Sequence, residues 1–169
     1  GNPWPAMSYG LNATIGWKNF DMTLFFQGVH NVDVVNINKA YYRSLVQDYN
    51  TSDLALEGWT AANPTEHPRL NFNDPNGNFR RPSSYFVEDA SYLRLRTIQV
   101  GYTLPQALAG KIGLTNARVY VNGQNLLTLT GYEGLDPEVG GGNNISRGFD
   151  GLGQYPQTRL ISTGVQLSF

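Results

Sequence analysis

The stretch that decides the fold is Ser8-Tyr9-Gly10-Leu11-Asn12-Ala13-Thr14-Ile15-Gly16-Trp17-Lys18-Asn19-Phe20-Asp21-Met22-Thr23-Leu24-Phe25-Phe26-Gln27-Gly28-Val29. Tyr9, Leu11, Ala13, Ile15 and Trp17 alternate with Ser8, Gly10, Asn12, Thr14 and Gly16, the period of two that marks a β-strand. Lys18-Asn19 reads as a two-residue turn. Beyond it Phe20, Met22, Leu24 and Phe26 take one face, and Asp21, Thr23 and Gln27 the other, with Phe25 as the exception. A two-residue loop makes Trp17 and Phe20 cross-strand neighbours, so both apolar rows merge into one surface. About ten residues per strand is the length of a tilted membrane-spanning strand. The aromatic pair at the turn end suits an interfacial girdle. A soluble sandwich would also alternate, so the hairpin alone leaves both open.

Outward from this hairpin, three more strands are expected, over 92–104, 116–129 and 158–169. In the first, Ile98, Val100, Tyr102 and Leu104 alternate with Thr97, Gln99, Gly101 and Thr103, and Pro105 ends it. In the second, Val119, Val121 and Leu127 oppose Tyr120, Asn122 and Gln124, a weaker pattern. In the last, Ile161, Thr163, Val165, Leu167 and Phe169 oppose Leu160, Ser162, Gly164, Gln166 and Ser168. The connections alternate in length: short at 18–19 and 105–114, long at 30–91 and 130–157. Outer-membrane barrels sort their loops this way. Within the first long connection, Ile37 to Glu57 carries Tyr41, Leu45, Val46, Tyr49 and Leu56 near helical spacing, which predicts a helix. The stretch 63–84 is rich in Pro, Asn, Asp and Gly and reads as loop. Five strands cannot close a barrel, and an open edge in lipid is too costly. The expectation is an all-β chain forming the last five strands of a larger antiparallel transmembrane barrel.

Composition narrows the function classes. The chain has 169 residues, 15% of them charged, with net charge −1 and no cysteine. A near-neutral balance supplies no footprint for nucleic acid. The absence of cysteine excludes disulfide frameworks and thiolate metal sites. No run of about 18 apolar residues exists, so no transmembrane helix is expected. The first residues carry no signal-peptide pattern, so an exported protein would begin upstream.

Three motifs then carry a resemblance. The first runs Ser84-Tyr85-Phe86-Val87-Glu88-Asp89-Ala90-Ser91-Tyr92-Leu93-Arg94-Leu95-Arg96, followed by Val100-Gly101-Tyr102 and Leu104-Pro105. The second runs Arg118-Val119-Tyr120-Val121-Asn122-Gly123-Gln124-Asn125-Leu126-Leu127-Thr128, then Tyr132, Gly134 and Asp136-Pro137-Glu138. The third runs from Gly153 to Phe169, with Tyr155-Pro156 and a terminal phenylalanine. Together with the hairpin at 8–29 they resemble the C-terminal segment of SusC/RagA-type TonB-dependent transporters of the Bacteroidetes outer membrane. The likeness is weakest over 36–80.

That resemblance implies a barrel of roughly 22 strands, with an N-terminal plug and a TonB-interacting segment, neither present here. It implies a multi-pass outer-membrane location and import of oligosaccharides or oligopeptides. The implied partners are a SusD-type surface lipoprotein acting as a lid, the TonB complex through the missing N-terminal parts, the barrel-assembly machinery and membrane lipid. The segment would supply barrel wall, and its long loops would shape the outer vestibule. Two other readings remain at this stage: a soluble glycan-binding β-sandwich, and a TonB-dependent siderophore or cobalamin receptor.

Particular residues follow from these readings. Leu11, Ile15, Trp17, Phe20, Met22, Leu24, Phe26, Ile98, Val100, Tyr102, Val165 and Leu167 are expected to face the membrane. Val165, Leu167 and Phe169 fit an assembly signal, an apolar strand free to be templated onto another sheet. Trp59, Tyr41, Tyr42, Tyr85, Phe86 and Tyr132 are candidates for substrate or lid contact, since interfaces favour such side chains. Arg80 and Arg81 are candidates for an acidic partner, although loop residues of either kind more often serve only their own loop. Arg94 and Arg96 are placed to pair with Glu88 and Asp89. Asp74, Asn76 and Asn78 begin like a calcium loop, but Phe79 stands where glycine is required and Tyr85 where glutamate is, so a polar turn is expected. His30 and His67 have no ligand-spaced partners. Neither a nucleophile elbow nor a phosphate loop occurs. No enzyme activity, cofactor or metal is expected.

Overall fold

The computed structural model describes residues 1–46, 50–138 and 147–169. These residues fall into two compact units. One comprises 5–31, 91–131 and 157–169, the other 1–4, 32–90 and 132–156.

The first unit is a five-stranded antiparallel sheet in the order β1-β2-β5-β6-β8. Its strands are β1 (Met7–Trp17), β2 (Phe20–His30), β5 (Tyr92–Thr103), β6 (Asn116–Thr130) and β8 (Leu160–Ser168). The register turns sequence alternation into two chemically distinct faces. Leu11, Ala13, Ile15 and Trp17 lie opposite Phe26, Leu24, Met22 and Phe20. Leu24, Met22 and Phe20 lie opposite Ile98, Val100 and Tyr102, which oppose Gly123, Val121 and Val119. Val119 opposes Val165, and Ala117 opposes Leu167. Directly paired residues share a face, so this face is apolar apart from Thr163, which lies opposite Val121. The opposite face carries Asn12, Thr14, Thr23, Gln99, Asn122, Ser162 and Gln166. Phe25 pairs with Thr97 on that polar face.

Two features of the sheet escape simple alternation. The register shifts at a bulge between Leu95 and Thr97, where Arg96 sits, which restores Leu95 to the apolar face. On the partner strand, Asn125 takes up the offset with φ at 53°, a conformation asparagine tolerates. The short connection after β5 is capped by α2 (Gln106–Ala109) and one 3₁₀ turn at Gly110–Ile112. There Leu104, Ala109, Leu114 and Ala117 form a small apolar cluster.

The second unit holds a three-stranded sheet in the order β4-β3-β7. Its strands are β3 (Asp33–Asn36), β4 (Val87–Asp89) and β7 (Phe149–Asp150). β3 pairs antiparallel with β4 and parallel with β7. The sequence reading treated both long connections as loop and missed this sheet. Its strands are two to four residues long, too short to show a period, and they pair across great chain distance.

The helix expected over Ile37–Glu57 is corrected to a short α1 (Asn38–Tyr42) and a separate 3₁₀ turn at Asp53–Glu57. Ser44 stops α1: its hydroxyl donates to Ala40 O (2.6 Å) and accepts from Val46 N–H (3.3 Å), competing with the helical ladder. Gln47, Asp48 and Tyr49 of that expectation lie outside the described residues, as does the glycine-rich run at 140–144. Among the described residues no helix is long and apolar enough to cross a membrane, which has no bearing on strands.

Candidate functional site

The apolar face of the five-stranded sheet is open. Leu11 is 61% exposed, Trp17 65% and Val165 62%, so no second layer covers it. A soluble sandwich would bury these side chains. Phe20, Val100 and Leu167 are exposed on the same face, while Met22, Leu24, Phe26, Ile98 and Tyr102 are partly shielded by their neighbours. At the turn end the aromatic rings gather. Trp17 and Phe20 stack at 6.4 Å between centroids, Phe20 meets Tyr102 at 4.8 Å, and Lys18 lies 5.0 Å over Trp17. On the polar face, Arg118 donates Nε and Nη2 to the two carboxylate oxygens of Asp21, at 2.9 and 2.5 Å. The guanidinium passes over Gly101, where an added Cβ would stand 2.4 Å from Nη2. β1 and β8 are the sheet edges. Val165, Leu167 and Phe169 lie on or just after β8, all exposed.

The three-stranded unit contains the densest polar chemistry. α1 places Lys39 and Arg43 one turn apart, on the same helix face. Lys39 Nζ lies 2.8 Å from Glu88 Oε1 and 3.3 Å from Glu133 Oε2. Arg43 Nη2 lies 2.9 Å from Glu133 Oε2, and its Nη1 lies 3.1 Å from Glu57 Oε2. Glu88 also accepts from Asn36 Nδ2 (3.0 Å) and from the Glu133 N–H (2.9 Å). His67 joins the same cluster, with Nε2 3.4 Å from Glu57 Oε2. Lys39 and Arg43 are both buried. The Lys39–Glu88 pair is buried on both sides, and removing one partner of such a pair strands a charge, at a cost of about 3–5 kcal/mol. The cluster therefore ties four separated stretches, around 36–43, 57–67, 88 and 133, into one arrangement.

Two phenols flank it. Tyr85 carries Lys39 Nζ 4.9 Å over its ring. Burial holds its hydroxyl above the usual value, against the opposing pull of Arg43 and Lys39. Tyr132 donates to Asp150 Oδ2 at 2.5 Å. Burial first, then the bond to and charge of Asp150, push the Tyr132 phenol far above its usual value.

The aromatic candidates separate on this frame. Trp59 and Tyr42 are exposed, and Tyr41 and Tyr85 are half-buried. Phe86 and Tyr132 are buried, at 7% and 6% exposure. For Tyr132 this depends on Asp150, eighteen residues further along the chain, which the local sequence does not reveal. Arg80 and Arg81 are exposed. Glu88 is engaged by Lys39 and Asn36, and Arg94 donates to Thr128 Oγ1 (3.0 Å) and lies over the Tyr92 ring. The Asp74 carboxylate accepts from Asn78 and Phe79 N–H at 2.8 and 3.1 Å, closing a polar turn on itself. Among the described residues, no group of three or more His, Asp or Glu is arranged to hold a metal. Sequence reasoning missed Asn36, Lys39, Arg43, Glu57, Glu133 and Asp150. The spacing of Lys39 and Arg43 on an expected helix was the one available signal.

No family model matches the chain. Curated relatives do. A TonB-dependent receptor of Formosa agariphila is 37% identical over 176 residues, covering all of this chain and 17% of that receptor. A second from the same organism is 32% identical over 175 residues, again all of this chain and 17% of the relative. The TonB-dependent receptor SusC of Bacteroides thetaiotaomicron is 29% identical over 165 residues, 95% of this chain and 15% of SusC. Among solved structures, the RagAB peptide importer in its closed-closed state superposes with a TM-score of 0.79 at 30% identity, covering 99% of this chain and 18% of that one. Its open-open state gives 0.71 at 30% identity, over 98% and 17%. The chain thus spans less than a fifth of the length of the proteins it resembles.

Proposed function

Because the chain belongs to the TonB-dependent receptors of the SusC/RagA type, we propose that it is a C-terminal barrel segment of a TonB-dependent importer that takes up oligosaccharides or oligopeptides across the outer membrane. The observation that carries this reading is the five-stranded sheet with one open apolar face, one polar face and two unpaired edges. Such a sheet is stable in lipid only as part of a closed barrel. A barrel of about 22 strands accommodates it.

In this reading Leu11, Ile15, Trp17, Phe20, Met22, Leu24, Phe26, Ile98, Val100, Tyr102, Val165 and Leu167 meet lipid. The polar face, with Asp21 and Arg118, meets the lumen or its plug. Val165, Leu167 and Phe169 present the edge that the barrel-assembly machinery takes up. The three-stranded unit offers surface to substrate and to a SusD-type lipoprotein lid, through Trp59, Tyr41, Tyr42, Tyr85, Arg80 and Arg81. Its role is binding and passage, with no chemical step. Relatives named as TonB-dependent receptors, and a solved relative titled a peptide importer, support TonB-dependent uptake of a nutrient.

The test is uptake of labelled oligosaccharide and oligopeptide pools by cells with and without the full-length receptor, and with and without TonB. The reading expects one pool to lose uptake in both deletions. Unchanged uptake of both pools in the receptor deletion would overturn it.

A further inference from the structure

We propose that the cleft beside α1 is a subsite for one uncharged, donor-bearing unit: a sugar hydroxyl or an amide N–H on a group the size of a hexose or an amino-acid residue. This rests on the reading that the three-stranded unit meets substrate. The cleft has a volume of about 270 Å³ and is lined by Asn36, Lys39, Tyr42, Arg43, Glu133 and Leu135, among others.

Its chemistry follows from which groups are already engaged. Lys39 gives its ammonium to Glu88, to Glu133 and to the Tyr85 carbonyl. Arg43 gives its terminal nitrogens to Glu57, Glu133 and His67. Asn36 gives its amide N–H to Glu88. The neighbouring carboxylate fixes that amide orientation, since the reverse would set oxygen against oxygen. The donors around the cleft are therefore turned inward, and an acceptor is left over. Asn36 Oδ1 is buried without a hydrogen-bond partner, on a residue 2% exposed. Buried acceptors are ordinarily satisfied, and leaving one unmet is costly.

Charge narrows the occupant further. Two cations, Lys39 and Arg43, face three carboxylates, Glu57, Glu88 and Glu133. A carboxylate or phosphate would bring acceptors to a site short of free donors and in excess of negative charge. An uncharged hydroxyl or amide supplies the missing donor without an ion's desolvation cost. The exposed Tyr42 ring adds a flat apolar wall, suited to the C–H face of a sugar or to a peptide plane. Asn36 lines the cleft and its Oδ1 is itself buried, so an occupant that bonds it has to open the cleft wall at that point.

The test is ligand-observed saturation-transfer NMR on the full-length receptor in detergent, with methyl glucoside, N-acetylglycine methylamide and acetate as probes. Methyl glucoside or the capped amide should bind with Kd on the order of 1 mM, and acetate should not. Binding by the glucoside alone assigns the donor to a sugar hydroxyl; binding by the capped amide alone assigns it to peptide N–H. Asn36→Leu should weaken binding roughly three- to tenfold, the factor for one neutral hydrogen bond. Leu135→Trp fills the cleft from an exposed position, away from the ion pairs, and should abolish binding even if Asn36→Leu misfolds. Absence of binding by both uncharged probes, equal binding of acetate, or binding unchanged in Leu135→Trp would overturn the proposal. The readout needs no energised transport, so failure of TonB-dependent uptake leaves it interpretable, and the converse holds.

Discussion

Replacing Tyr132 by phenylalanine removes one oxygen from a buried position and leaves the ring. Its hydroxyl donates to Asp150 at 2.5 Å, and Asp150 is itself buried. A hydrogen bond to a charged group contributes about 1.5–3 kcal/mol. The substitution should therefore raise the local opening equilibrium roughly 10- to 100-fold. The amides that report it are Val35, bonded to the Gly148 carbonyl, and Ile37, bonded to the Asp150 carbonyl. Hydrogen exchange on the full-length receptor should show protection at Val35 and Ile37 falling by that factor, while Leu24 and Ile98 in the large sheet keep theirs. The pH dependence has a definite sign. A phenol held above its unfolded value of about 10 contributes fully below that pH. Above it, the unfolded tyrosine ionises while the folded one stays protonated. Protection at Val35 should thus decline as pH rises past 10, and Tyr132→Phe should lose that slope. Protection at Val35 and Ile37 within twofold of the parent would refute the reasoning.

Three further expectations follow from close contacts. Gly28→Ala would place a Cβ 2.5 Å from both the Tyr92 carbonyl and the Tyr9 ring. It should destabilise the sheet by about 1–3 kcal/mol, seen as a lower transition temperature in heat-modifiable gel mobility. An unchanged transition would mean the strands are not so closely set. Gly101→Ala should displace the Arg118–Asp21 pair, and combining it with Arg118→Leu should add little further loss; full additivity in that cycle would count against the contact. Calcium and chelator should leave exchange at Asn78 and Phe79 unaltered, because Asp74 is occupied by their N–H groups, whereas Asp74→Ala should expose both; calcium-dependent protection would reverse that assignment.

The large sheet was legible because alternation is local. The row Leu11, Ala13, Ile15, Trp17 and the row Phe20, Met22, Leu24, Phe26 can each be read without knowing any partner, and the two-residue turn fixes their register. The bulge at Arg96 was not legible, since nothing in Leu95-Arg96-Thr97 announces where the register shifts. The three-stranded unit was largely hidden. β7 is two residues long and pairs with β3 more than a hundred positions away, and no local pattern encodes that. α1 was overextended because apolar spacing continued past Ser44, whose side chain ends the helix by a bond that periodicity does not see. The cluster of Lys39, Arg43, Glu57, Glu88 and Glu133 needs four distant stretches to meet. Its members look like ordinary solvated charges until they do. The exposed loop aromatics were the opposite case: Tyr42 and Trp59 stand out by type, yet type alone did not separate them from the buried Phe86 and Tyr132.

Lipid contact by the apolar face of the large sheet, and not by the opposite face, is open to direct measurement. Single cysteines from residue 20 to 27 of the full-length receptor, carrying an environment-sensitive fluorophore in vesicles with brominated lipid, test it directly. Quenching is expected at positions 20, 22, 24 and 26, and little at positions 21, 23 and 27. Uniform quenching, no quenching at any position, or the opposite phase would contradict it.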